Sequence, residues 1–322
     1  MNDSLPLVTI AIPTYNRADS YLKLALESAI NQTYPNIEIV VSDNCSTDGT
    51  ETVVKSFSDP RIRYFRQPEN IGPNNNFNFC VEQAKGLYFL LLQDDDLIDQ
   101  DFVDTCMRAA NYRTDIGIIR TGTRLIDAQG NVLKERPNRV GGLPTADFFI
   151  GWFTGKTSLY LCSTLFNARK LKEMGGFKSK HNLFQDVVAE VQLAAQFGRV
   201  DVYEVKASFR RHGSETTHSS KISYWCEDSR FLLDLMCDLV SEDQAPMVKR
   251  EGRRYFSQVN YNFASRIGSP LERFVMYWTI YQTFDYRYPP LYFAYKKNLR
   301  RTWRRAKRVK YLLAGIMARG IE

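Results

Sequence analysis

Residues 88–99 read YFLLLQDDDLID. The mostly apolar run Tyr88–Gln93 ends abruptly in three carboxylates, Asp94, Asp95 and Asp96. A strand covered on both faces reads as a continuous apolar run rather than an alternation. Carboxylates are costly to bury unless a partner compensates them. The stretch therefore reads as a buried central strand that delivers acids to a sheet edge, where something positive holds them. Working outward, Leu7–Ile12, Ile37–Val41, Arg61–Phe65 and Leu87–Leu92 read as strands. Between them, helical spacing runs over Tyr21–Ala29, Thr50–Phe57 and Phe77–Lys85. This β-α-β alternation predicts an α/β fold, a Rossmann-like and mainly parallel sheet with helices on both faces. In such sheets ligands bind at the carboxyl ends of the strands. The segments leaving strands one, two and four there are PTYNR (13–17), SDNCSTDG (42–49) and QDDD (93–96).

Beyond the acidic run the pattern is less regular. Phe102–Tyr112, Asp147–Phe153, Leu171–Met174 and Phe184–Phe197 read as helices. Ile116–Arg120, Asn131–Leu133, Arg199–Tyr203 and Val205–Phe209 read as strands. From Lys221 onward the chain is aromatic and helical in pattern. Six scattered cysteines without a C-x-x-C pair, and three histidines, speak against a structural zinc site. The thiols read as free and the compartment as reducing. The opening MNDSLPLVTIAIPTYNR has no basic n-region, so it does not read as a signal peptide. No window has the length of apolar residues that a membrane span needs.

Adjacent carboxylates at a strand end suit a hard divalent cation, Mn²⁺ or Mg²⁺, with open positions for a diphosphate. Alternation along an extended chain puts Asp94 and Asp96 on one face. An acidic turn or a helix N-terminus is the plainer alternative. The ordered set VTIAIPTYNR, IVVSDNCSTDGT, NIGPNNNFNFCVEQAKG, LLLQDDDLI, GGF and FQDVVAEVQLA resembles the family 2 glycosyltransferases of the GT-A fold, over roughly residues 5–215. The resemblance implies transfer of a sugar from a nucleotide diphosphate donor, usually with inversion. It implies nucleotide contacts from Pro13, Thr14, Tyr15 and Arg17, and from Asp43, whose alternative is a cap for the next helix. Asn70 and Gly72 match an N-x-G turn. Asn78 matches the asparagine of R-N-x-G, with Phe77 in place of the arginine and Cys80 in place of the glycine. Asp94–Asp96 match the D-x-D region, with Gln93 where the family often starts it. The resemblance makes Asp96 a direct metal ligand and gives Asp94 and Asp95 contacts to metal or ribose.

Inverting transfer needs a base for the acceptor hydroxyl. By resemblance, Gly175-Gly176-Phe177 precede an E-D pair at a helix start, here Gln185-Asp186, so Asp186 occupies the base position. The helix N-terminus is expected to keep it ionised. Glu190, one turn later, is its rival. FRRHGSETTHS (209–219) resembles the family's R-x-H segment, with His212 as a third metal ligand or diphosphate contact, assisted by Arg210 or Arg211. His181 and His218 are unassigned.

The net charge is +7, and residues 287–322 carry eleven Lys and Arg against Glu322, so the preceding chain is net −3. At roughly 100° per residue, Lys296, Lys297, Arg300, Arg301, Arg304, Arg305, Lys307 and Arg308 fall on one side of a helix, opposite Leu299, Trp303, Val309, Leu313 and Met317. Such a helix suits an anionic membrane surface. A helix docked on the body is the alternative. No nucleic-acid module accompanies the basic patch, and no nucleic acid is expected as partner. The expected organisation is a catalytic domain over 1–220, with a nucleotide-binding half near 1–98 and an acceptor half near 99–220. A helical region over 221–322 follows, ending in the basic amphipathic helix. The expected enzyme is cytoplasmic and peripheral on the inner membrane face. Its acceptor is a glycan or lipid-linked glycan of surface polysaccharide or O-antigen synthesis. The rival readings are a sugar nucleotidyltransferase, whose glycine-rich first loop is absent here, and a non-catalytic GT-A scaffold.

Overall fold

The computed structural model describes residues 5–212 and 221–293. The basic helix and His218 lie outside them. β1 (Val8–Thr14), β2 (Ile37–Asp43), β3 (Ile62–Arg66) and β4 (Tyr88–Leu91) pair in parallel in the order β3-β2-β1-β4. Their connections are α1 (Leu22–Ile30), α2 (Thr50–Lys55) and α3 (Pro73–Gln83). Thr14 sits opposite Asp43, and Asp43 opposite Arg66, so the polar strand exits share one edge. α3 starts at Pro73, four residues before its expected start. Gly72 caps it with φ 80° and Pro73 fills the first turn, where its missing N–H costs nothing.

After the acids, the two-residue β5 (Leu97–Ile98) leads to α4 (Phe102–Ala109), which stops short of Tyr112 because Asn111 and Tyr112 take positive φ. β6 (Ile118–Ile126), β7 (Val132–Arg136), α5 (Thr145–Thr154), a 3₁₀ turn (Leu161–Ser163), β8 (Thr164–Asn167), α6 (Ala168–Glu173), α7 (Gln185–Phe197) and β9 (Arg199–Arg210) complete the sheet. β8 runs antiparallel between β4 and β6, and β9 lies parallel to β6. The two strands expected over 199–209 are one, with the register shifting around Gly122 of β6 where a break was expected. β5 pairs antiparallel with the end of β9, Leu97 opposite Ser208. That pairing brings residues 210–212 up against the acidic run.

Alternation along the strands sorts the core onto two sides of the sheet. Ile10, Ile12, Ile39, Val41, Leu90 and Leu92 face α1 and α4. Ala11, Val40, Phe89 and Leu91 face α3, α5 and α7. The helices α8 (Ile222–Asp238), α9 (Ala245–Ala264) and α10 (Pro270–Thr283) bury Trp225, Leu232, Phe256 and Ile280 in that second cluster. Residues on both sides of position 220 thus share one core.

Candidate active site

The first-half residues gather where the parallel strands end. Tyr15 is 43% exposed and borders this edge. The backbone N–H of Asn16 donates to Ser46 and that of Arg17 to Thr50, so the PTYNR loop is tied to the loop after β2. Arg17 Nε lies 3.5 Å from Asp94 Oδ1. Asp43 is fully buried. Its Oδ1 accepts the Ser46 N–H at 2.8 Å and its Oδ2 accepts the Tyr64 hydroxyl at 2.6 Å. Asn70 shapes the N-x-G turn, accepting from Asn44 Nδ2 and from the Gly72 N–H, each at 2.9 Å. Asn78, expected at the nucleotide, spends its amide elsewhere. It donates to Phe177 O at 3.0 Å and accepts the Phe177 N–H at 2.7 Å. It clamps the G-G-F turn to α3 so closely that a Cβ on Gly176 would stand 2.3 Å from Asn78 Oδ1.

The three acids meet different surroundings. Asp94 is nearly buried, and burial pushes its carboxyl up to about 6 against the pull of Arg17, with Asp95 adding to the rise. Asp95 stands at the rim, its Oδ2 2.7 Å from His212 Nε2. Asp96, expected as the direct metal ligand, is 1% exposed. Its Oδ1 accepts the Arg210 N–H at 2.9 Å, while its Oδ2 is buried without a hydrogen-bond partner. Burial, with Asp95 beside it, holds its carboxyl well above the usual range. The Arg210 side chain is a brace. It donates to the carbonyls of Asp95 and Asp127 and lies over the Tyr21 ring at 4.3 Å.

Asp95 and His212 offer the carboxylate and imidazole donors that Mn²⁺ accepts. Among the described residues no three or more His, Cys, Asp or Glu side chains form a metal group. Two suffice for an ion whose remaining positions go to phosphate oxygens and water. The donor set therefore fits a partial site of that kind, with the unpaired Asp96 oxygen behind it.

A cavity of about 1290 Å³ opens beside this edge. Gly72 and Gln93, next to the nucleotide loop and the acid run, line it together with Asp186, in the first turn of α7. The N–H groups of Asp186 and Val187 favour the ionised carboxylate, but burial outweighs them and pushes the carboxyl up to about 6. At neutral pH such a carboxyl is still mostly ionised. Glu190 is fully buried away from the cavity, its Oε2 3.1 Å from Arg120 Nε. Burial pushes it up to about 8.

Sequence reading missed much of the cavity wall. Lys134 and Arg136 come from β7, Trp152 from α5, Tyr160 from the turn before β8, and Trp225 and Tyr255 from α8 and α9. His181, unassigned from sequence, also lines it and stacks on Tyr224 at 4.3 Å. The aromatic crowding after Lys221 was the available signal, but helical spacing alone does not separate core from cavity.

The β-1,3-glucosyltransferase of Campylobacter jejuni named for GalNAc(5)-diNAcBac-PP-undecaprenol is 34% identical over 53% of this chain and 57% of its own. An uncharacterized glycosyltransferase of Rickettsia bellii is 32% identical over 81% of this chain and 37% of its own length. The chain thus spans only part of these curated relatives. The crystal structure of S. aureus TarS 1–349 in complex with UDP-GlcNAc matches with a TM-score of 0.65 at 14% identity, covering 86% of this chain and 81% of that one. The fold is the GT-A arrangement, a mixed α/β sheet followed by helices. The sequence model for "Glycosyl transferase family 2" matches residues 9–171, just over half of the 322, and the chain belongs to that family.

Proposed function

We propose that the protein is an inverting glycosyltransferase that moves a sugar from a nucleotide diphosphate donor to a hydroxyl of a lipid-linked glycan. The observation that carries this reading is the shared cavity. Asp186 lines it together with Gly72 and Gln93, the neighbours of the nucleotide loops and the acid run. The acceptor hydroxyl gives its proton to an Asp186 oxygen as its own oxygen attacks the anomeric carbon. Attack from the face opposite the departing diphosphate inverts that carbon. A base near 6 is ionised at neutral pH and still basic enough to take a proton in the transition state. Asp95 and His212 would hold Mn²⁺ or Mg²⁺, which when bound neutralises charge on the leaving diphosphate. Arg17 keeps Asp94 turned to that edge. The aromatic wall excludes water and offers faces for sugar rings.

The relative named for a diphosphate-linked undecaprenol substrate supports a lipid-linked acceptor. The basic, amphipathic pattern of residues 295–317 supports peripheral attachment to the inner membrane face. Among the described residues no helix is long and apolar enough to cross a membrane. Calorimetric titration of the purified protein with UDP-sugars and dTDP-sugars, with and without Mn²⁺, tests the reading. At least one should bind with metal-enhanced affinity, and the absence of any nucleoside diphosphate binding would sink it.

A further inference from the structure

Two cations in the cavity have no part in the transfer described above. Lys134 and Arg136 lie two residues apart on β7, and alternate side chains of a strand share a face. Both line the cavity, whereas Glu135 between them turns to Arg124, 3.9 Å away. Arg136 Nε is buried without a hydrogen-bond partner, and neither cation forms an ion pair among the described residues. Arg136 is half-buried and Lys134 exposed, and a guanidinium held partly away from water favours an anionic partner. Its planar fork of donors matches a phosphate or a carboxylate. The sole acid among the described lining residues is Asp186, and that side chain is engaged as the base. An anionic partner for this pair would therefore come with a ligand.

The donor diphosphate has its own neighbours. Arg17, Asp94, Asp95 and His212 gather at the strand-end edge, and none of them lines this cavity. Around Arg136 stand Tyr160 and Tyr255, with Trp152 and Trp225 on the same wall. Aromatic faces beside a cation pair describe a place for a charged sugar. We propose that Lys134 and Arg136 form a subsite for an anionic group on the acceptor, a phosphate or a sugar carboxylate. This rests on the glycosyl-transfer reading of the same cavity. The subsite selects acceptors by charge and counters the repulsion an anionic acceptor would meet from Asp186.

The test uses the full chain with saturating UDP, titrated calorimetrically with glucose 1-phosphate, with glucuronate and with neutral glucose. UDP binding is measured in parallel. The wild type should bind one anionic sugar at least tenfold more tightly than glucose. Phosphate preference points to a phosphate-linked acceptor, and carboxylate preference to a uronic acid. That advantage should fall below about twofold in the Lys134→Gln/Arg136→Gln double variant, with UDP affinity unchanged. Lys134 is exposed on its strand, so Lys134→Gln alone should fold normally and show an intermediate loss. The proposal is overturned if the wild type does not favour an anionic sugar or if the double variant keeps the preference. It is equally overturned if the variants lose UDP binding, since the cations would then serve the donor. Charge-dependent sugar binding without any nucleoside diphosphate binding would support the subsite while removing the glycosyl-transfer reading.

Discussion

Asp186 and Glu190 stand one turn apart on α7 and meet opposite fates. Glu190 faces the buried Arg120, which also lies 3.4 Å from Asp201. Asp186 faces the cavity. Replacing Asp186 by Asn should lower transfer by about 10²–10⁴-fold, the usual worth of a positioned base, with nucleoside diphosphate affinity unchanged. Wild-type kcat/KM should rise with pH and level off above about 6. The stability sign follows from the same raised carboxyl. The folded state holds its proton more tightly than the unfolded chain, so this group's contribution is greatest below its ordinary value and falls as pH rises to about 6. Asp186→Asn removes that cost, so the variant should melt higher than wild type at pH 8 and at nearly the same temperature at pH 4. Intact turnover in the variant would remove Asp186 from the base position.

At the scale of elements, a buried acid and a buried arginine link segments far apart in the chain. Asp228 on α8 is fully buried. It accepts from Ser179 Oγ at 2.6 Å, from the His181 N–H at 2.7 Å and from the Leu183 N–H at 2.9 Å. These residues form the loop that enters α7, so α8 sets where Asp186 points. Asp228→Ala should lower kcat on the order of 10–100-fold with donor affinity unchanged, because small misplacements of a reacting group are expensive. An unchanged kcat would show that the loop is held by other contacts. Arg120 holds Glu190 and Asp201 and donates to Thr157 Oγ1 at 3.1 Å. Arg120→Leu takes the cation from buried Glu190, while Asp201 keeps Arg199 at 2.7 Å, and should cost about 3–5 kcal/mol of unfolding free energy in urea. No periodicity marked Asp228 or Arg120. Their partners are set by packing between segments, and Asp228 lies 49 residues from Ser179 in sequence. β8 escaped notice for a related reason. Its four residues, TLFN, are fully buried and show no alternation to read.

For the whole molecule, the basic helix read from sequence lies outside the described residues, and the proposal gives it attachment rather than catalysis. Removing residues 294–322 should lower sedimentation with vesicles containing anionic phosphatidylglycerol, most visibly at low salt, while nucleotide-sugar binding stays intact. Equal sedimentation of the truncated protein would assign attachment elsewhere. Truncation at 220 should instead damage the site, since Trp225 and Tyr255 form part of the cavity wall.

By itself, the amino-acid order determined the alternating strands and helices of the first half, the edge where their polar exits converge and the family. Those features are written locally, in apolar runs, turn residues and motifs of fixed spacing. The tertiary structure decided what depends on distant chain segments meeting. It turned Asp96 inward and Asp95 toward His212, gave Asn78 to the G-G-F turn and raised Asp186 by burial. It also built part of the cavity wall from helices that carry no motif. Burial and pairing decide a side chain's charge and reach, and both are properties of packing rather than of local sequence.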